Sequence, residues 1–197
     1  MAFERLILAS ASPRRVALLQ QLGLTFEVAP AKGDEPDPEL GEAPEDYVVR
    51  AAVHKAHRVQ QQLRAKNAWV LGADTIVIID GEILLKPTDE DNAKAMLTRL
   101  SNKQHQVVTG FAILHQTNGI EYTESVTTDV WFRKLTPFQI TRYVKTGEPM
   151  DKAGSYGIQE MGAALVDKIE GCYFNVVGLP IGHVIAALEK HKAGTLF

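Results

Sequence analysis

Cysteine, long apolar runs and surplus positive charge are what this 197-residue sequence has least of. Its single cysteine, Cys172, cannot close an internal disulfide, and no CxxC or Cys/His set is present to hold structural zinc. A reducing, cytoplasmic compartment is the expectation. The longest early apolar stretch, Leu6-Ile7-Leu8-Ala9, is far short of a signal-peptide core, and no segment approaches the roughly 20 apolar residues of a membrane span. The 21 Lys and Arg against 24 Asp and Glu leave a net charge of −3, which excludes the polybasic footprint of a binder of nucleic-acid polymers. A local basic cluster for one small anion remains compatible with that balance. What is present, 45% hydrophobic and 23% charged residues, suffices to bury a sizeable core without staples.

Helical and strand patterns alternate along the chain. Residues 5–9 predict a short buried strand and 16–23 a helix closed by Gly23. The Pro- and acid-rich stretch 30–45 predicts a loop, then Pro44 opens a helix to about Lys66 with an apolar stripe through Val48, Ala52 and Val59, Tyr47 and Ala51 alongside. AWVLGAD (68–74) and TIVIID (75–80) predict strand, with Asp80-Gly81 as a two-residue hairpin turn. Thr88 is the expected cap of a helix that turns Ala93, Met96, Leu97 and Leu100 inward. Residues 106–114 and 124–132 predict strands on either side of Asn118-Gly119, and Pro137 and Gly147 bracket another helix. A glycine-rich loop follows at 151–162, then a hairpin pairing 163–169 with 173–177, then a helix from about Pro180 to Lys190. With no repeat, low-complexity tract or linker, the expectation is a single domain, 1–197, of α/β or α+β class around a mixed sheet.

Three features point to chemistry, each with a plainer reading beside it. Ser10-Ala11-Ser12-Pro13-Arg14-Arg15 lies between a strand and a helix, with both arginines in the first turn, where the dipole favours anions over cations. A docked phosphate would reconcile that placement; otherwise Ser12 is an N-cap beside two solvated arginines. Asp74, flanked by apolar strand residues, needs a cation, a metal or donors, unless it merely caps a turn. Gly72 in the same run suggests close backbone approach. Lys55 shares the apolar stripe of the long helix and should snorkel or pair with an anion. Lys86 and Lys152 could add to a triphosphate site or be surface lysines. The acids at 34–39 are solvating charge, except that one of them with Asp74 could hold Mg²⁺. Ala153-Gly154-Ser155-Tyr156-Gly157 is similar to a nucleophile elbow, with Asp167 and His183 in hydrolase order, but no buried strand leads into Ser155.

The sequence resembles the Maf family, septum-formation inhibitors that act as nucleoside triphosphate pyrophosphatases. The resemblance rests on LASASPRR (8–15), YVVRAAVHKA (47–56), LGADTIV (71–77), LLKP (84–87), LSNKQHQVVT (100–109) and DKAGSYGIQ (151–159), in that order. It implies an α/β fold, a mixed twisted sheet flanked by helices in two lobes with a central cleft. It implies hydrolysis of a nucleoside triphosphate to monophosphate and pyrophosphate with a divalent cation, Mg or Mn, and a homodimer. By matched position Asp74 becomes the general base or metal ligand, and Glu35 a metal-side carboxylate, with Asp34 the alternative. Ser10, Arg14, Arg15, Lys55, Lys86 and Lys152 fall at phosphate-binding positions. Thr75 and Gln159, with Arg14, fall where the family sets base specificity, in the pattern of its dTTP/UTP branch. Gln159 suits that branch, because an amide offers the donor and acceptor that match O4 and N3–H of uracil or thymine. The alternative from another class is a non-catalytic, nucleotide-binding regulator of septum formation.

Overall fold

A computed structural model describes residues 3–33 and 35–197; Asp34, the alternative metal-side carboxylate, lies outside them. The chain runs β1 (Leu6–Leu8), α1 (Pro13–Gln21), β2 (Glu27–Val28), α2 (Pro44–Gln62), β3 (Trp69–Ile79), β4 (Glu82–Leu84), α3 (Glu90–Leu100), β5 (Gln104–His115), β6 (Ile120–Phe132), α4 (Pro137–Val144), β7 (Val166–Glu170), α5 (Tyr173–Val177) and α6 (Ile181–Lys190). Three short 3₁₀ segments, Glu148–Asp151, Ala153–Ser155 and Glu160–Leu165, lie between α4 and β7.

The strands form one mixed sheet in the order β2-β1-β3-β5-β6-β7, with β4 on β3. β1 pairs in parallel with β2 and β3, whereas β4 and β7 pair antiparallel with β3 and β6. Residue contacts group into two units, whose boundaries fall inside β3, β5 and β6: residues 1–74, 109–126 and 178–197 form the first, 75–108 and 127–177 the second. Each has apolar packing of its own, around Ile7, Ala52, Ala56, Val59, Val70 and Ala112 in the first and around Val77, Leu97, Leu100, Val107, Phe132 and Ile140 in the second.

Local signals are realised where the chain turns. Gly23 takes a left-handed φ of 69° after α1, with its N–H bonded to Gln20 O and that of Leu24 to Leu19 O, the paired bonds of a Schellman end. Asp80 and Gly81, at φ 53° and 78°, make the two-residue turn between β3 and β4.

Three expectations change. Residues 69–79 form one continuous 11-residue strand rather than two runs. The cap of α3 is Asp89, whose carboxylate accepts the Asn92 N–H at 2.7 Å, one position after Thr88; the charged acceptor suits the positive helix end. The expected hairpin does not form: 163–165 belong to the third 3₁₀ segment, β7 starts only at Val166, and Tyr173–Val177 is a short helix, not a strand, despite its β-favouring residues. Gly171 turns the chain back over Thr128, whose hydroxyl takes the Cys172 N–H and Asn175 Nδ2–H, while Asn175 also donates to Val107 O. Those buried bonds replace a ladder and override propensity.

Candidate active site

The first unit brings Asp74, Lys55 and Glu35 together. The cause is a glycine contact between α2 and the sheet. A Cβ on Gly72 would lie 2.2 Å from Ala52 O and one on Gly110 2.5 Å from the Val48 carbonyl carbon, so α2 rests directly on β3 and β5. Residues 72 and 74 of a strand share a face. Asp74 therefore faces α2 one step beyond the contact, and Lys55, buried on the helix stripe, meets it with Nζ 2.6 Å from Oδ1. The same ammonium lies 3.0 Å from Glu35 Oε2.

Glu35 arrives there because its loop is tied along α2. Arg50 forks onto Glu42 with two bonds of 2.6 Å and donates to Asp37 O, Tyr47 OH donates to Pro36 O, and Arg58 donates to Lys32 O. Arg50 and the Glu39 N–H hold the Glu42 carboxyl down to about 2, so this clamp stays charged through the physiological range. Glu42 is thus paired with Arg50, which also lies 3.7 Å from the largely exposed Glu39. The Tyr47 phenol, pushed up to about 12 by burial and then by Asp74, Glu35 and Asp37, registers the negative field of the cluster.

Beside it lies the serine–arginine turn. The Ser10 hydroxyl oxygen accepts from the Ser12 N–H at 3.2 Å and from Arg15 Nη1 at 3.1 Å. With both lone pairs engaged, its proton is the part that can meet an anion. Arg15 is buried and braces the unit, donating also to Ala73 O and Gly178 O. Burial lowers its pKa and the Asp74 charge acts the other way; an arginine stays protonated regardless. Arg14, half-buried in the same turn, adds positive charge, and Ser12 supplies no side-chain cap to α1. The amino-terminal end of α1 is electrostatically fit for a phosphate.

The second unit carries the other candidates. Thr75 is half-buried on β3 and Lys86 is exposed after β4, next to Leu85, whose carbonyl takes the Gly154 N–H. Lys152 is mostly buried: its ammonium donates to Glu148 O at 2.5 Å and to Asp151 Oδ1 at 2.8 Å, and its stem runs where a Gly157 Cβ would stand. Gln159 is half-buried at the head of the third 3₁₀ segment. Sequence reasoning missed Glu148 and Tyr143, which tie this loop together; the only signal was the Thr-Gly-Glu-Pro run before it.

Each residue of the elbow reading has surroundings of its own. Ser155 has a left-handed φ of 62°, but its buried hydroxyl faces Met96 Sδ at 3.1 Å. His183 Nδ1 is bonded to Glu124 at 2.6 Å, and Asp167 is exposed.

Two carboxylates converging on one ammonium are hard oxygen donors aimed at a common point, and Mg²⁺ or Mn²⁺ needs only one or two of these beside substrate oxygens. Asp74 and Glu35 thus fit a divalent cation. These features define an α/β protein whose mixed sheet presents a carboxylate–lysine cluster beside a strand-to-helix turn carrying Ser10, Arg14 and Arg15. The chain belongs to the Maf-like protein family, whose sequence model matches residues 5–191.

Relatives include proteins named dTTP/UTP pyrophosphatase from Citrifermentans bemidjiense, 50% identical over 96% of this chain and 96% of that one, and from Myxococcus xanthus, 50% identical over 94% and 91%. Another so named, from Syntrophotalea carbinolica, is 45% identical over 98% of this chain and 87% of its own length. Among solved structures, the Staphylococcus aureus Ham1 protein aligns with a TM-score of 0.47 at 12% identity, covering 83% of this chain and 80% of that one. Among the described residues, no helix is long and apolar enough to cross a membrane.

Proposed function

We propose that this chain hydrolyses dTTP and UTP, or modified pyrimidine nucleotides, to the monophosphate and pyrophosphate, in the cytoplasm. The observation that carries the reading is the buried Asp74 held by Lys55, with Glu35 on the same ammonium. The pair holds a carboxylate in place away from solvent, and family membership supplies the reaction class. Asp74 accepts the proton of the water that attacks the α-phosphorus. Lys55 orients that carboxylate and offsets its charge. Ser10, Arg14 and the end of α1 bind phosphate oxygens, and Arg15 holds Ser10 in place while adding charge. Lys86 and Lys152 neutralise the pyrophosphate as it departs. A divalent cation held by Asp74 and Glu35 would neutralise phosphate charge and make water more acidic. Gln159, with Thr75 and Arg14, selects uracil or thymine. A second copy of the chain as partner belongs to the same proposal.

The test is incubation with dTTP, UTP, CTP and GTP plus Mg²⁺ or Mn²⁺, assaying pyrophosphate. Release from dTTP and UTP is the expected result. No release from any nucleotide would favour the non-catalytic regulator, and release of single phosphate would point to an ordinary phosphatase.

A further inference from the structure

Glu148 touches the loop 157–162 at two points and the α4 phenol of Tyr143 at a third. Its Oε1 accepts the Tyr143 hydroxyl proton at 2.8 Å and the Gly162 N–H at 3.0 Å, and its Oε2 accepts the Met161 N–H at 3.2 Å. The Tyr143 oxygen in turn accepts the Gly157 N–H at 3.3 Å. Both ends of the loop are therefore pinned to one carboxylate–phenol pair, with Gln159 between them.

The closure is tight. A Cβ on Gly162 would lie 2.0 Å from Gly157 O and 2.6 Å from the Tyr143 oxygen, so only glycine lets the two ends meet. Glu160, next to Gln159, sits at a left-handed φ of 55°, a conformation a non-glycine residue keeps only when its surroundings enforce it. Ile158 is buried and Tyr143 is 6% exposed, so the phenol end of the clamp is buried, while the Glu148–Met161 bond lies at the surface. Burial, followed by the Glu148 carboxylate, raises the Tyr143 pKa, so the phenol remains the donor in that bond.

We infer that the Glu148 carboxylate, through Tyr143, is the positioning residue that presents Gln159 to the pyrimidine base and so sets base selectivity. This rests on the proposed role of Gln159. Glu148 also holds Lys152, but through its backbone carbonyl, which side-chain substitution leaves in place. The two tasks are thereby separable: side-chain variants disturb the choice of base and spare the lysine. An amide bonded to an edge of the base discriminates only when held within a fraction of an ångström.

The experiment compares wild type with Glu148→Ala, Glu148→Gln, Tyr143→Phe and Gln159→Ala, reading amide hydrogen exchange together with kcat and KM for UTP and CTP. In Glu148→Ala the Met161 and Gly162 amides lose protection and the UTP-over-CTP ratio of kcat/KM falls by about ten-fold, through KM for UTP, as expected of a misplaced positioning group. The kcat for UTP stays within about two-fold. Glu148→Gln, which keeps one acceptor oxygen, falls between, and Tyr143→Phe, which frees the Gly157 end, shifts the ratio in the same direction. Retained protection in Glu148→Ala and Glu148→Gln overturns the inference, as does lost protection with an unchanged ratio. An equal loss for both nucleotides with a lowered unfolding midpoint reduces Glu148 to a structural role and also overturns it. A collapsed ratio in Gln159→Ala beside a wild-type ratio in Glu148→Ala removes the inference alone. A wild-type ratio in Gln159→Ala removes the base-reading role and the inference with it.

Discussion

Lys55 Nζ stands 2.6 Å from Asp74 Oδ1, with both side chains about nine-tenths buried. A buried pair of this kind is costly to break from one side, because the remaining charge keeps its desolvation penalty without its partner. Lys55→Met should destabilise the protein by about 3 kcal/mol, read by urea unfolding. The second substitution in Lys55→Met/Asp74→Asn should recover part of that loss. Additive losses would mean that the pair is not coupled.

Asp74→Asn keeps the shape and loses the base. Pyrophosphate release should drop by about a hundred-fold or more, the low end of what a positioned base contributes. Nucleotide affinity, measured by calorimetry, should stay near the wild-type value. Wild-type turnover would remove Asp74 from the reaction.

Gly72→Ala tests the contact that makes the pair. Its methyl would meet Ala52 O at 2.2 Å, backbone that no rotamer can move aside. The variant should lose about 3 kcal/mol of stability, the upper range for overpacking, and lose turnover as α2 shifts Lys55 away from Asp74. Full activity would show that α2 can move without consequence.

His105 should make stability pH-dependent. It is buried with Nε2 2.8 Å from the Tyr156 hydroxyl, and burial pulls it from 6.5 to about 4, the Asp129 charge acting weakly the other way. Between those values the unfolded chain binds a proton that the folded chain does not. Stability is therefore full above pH 6.5 and declines as the pH falls toward 4, by about 3 kcal/mol from this group. His105→Gln should flatten that slope in urea titrations at pH 4.5, 5.5 and 7. An unaltered slope would mean that another group carries the titration.

Ser155→Ala should leave pyrophosphate release within about two-fold of wild type, since the Ser155 hydroxyl faces a thioether and no base. A loss resembling that of Asp74→Asn would revive a serine nucleophile.

Much of the pair was legible because Lys55 shares the helical stripe of Val48, Ala52 and Val59, and Asp74 interrupts an apolar run. Periodicity reports burial, and a buried charge demands a partner. The turns at Gly23 and Asp80-Gly81 were legible for a similar reason, since positive φ is a local requirement. Tyr173–Val177 was not, because bonds through Thr128 and Val107 decide its form. Residue pattern left Glu35 one acid among several, singled out only by the family resemblance; Arg50, Tyr47 and Arg58, which tie its loop along α2, are what bring it to Lys55. Glu148 lay outside every motif, as its worth comes from backbone N–H groups at the far side of a loop.

By itself, then, the sequence determined that Lys55 and Asp74 would be buried, where the chain would turn and that one small anion rather than a polymer suited its charge balance. Tertiary structure alone decided which charge met which. Periodicity and turn chemistry are settled within a few residues, whereas the meeting of Lys55, Asp74 and Glu35 depends on the height of α2 over β3, set by the missing side chain at Gly72.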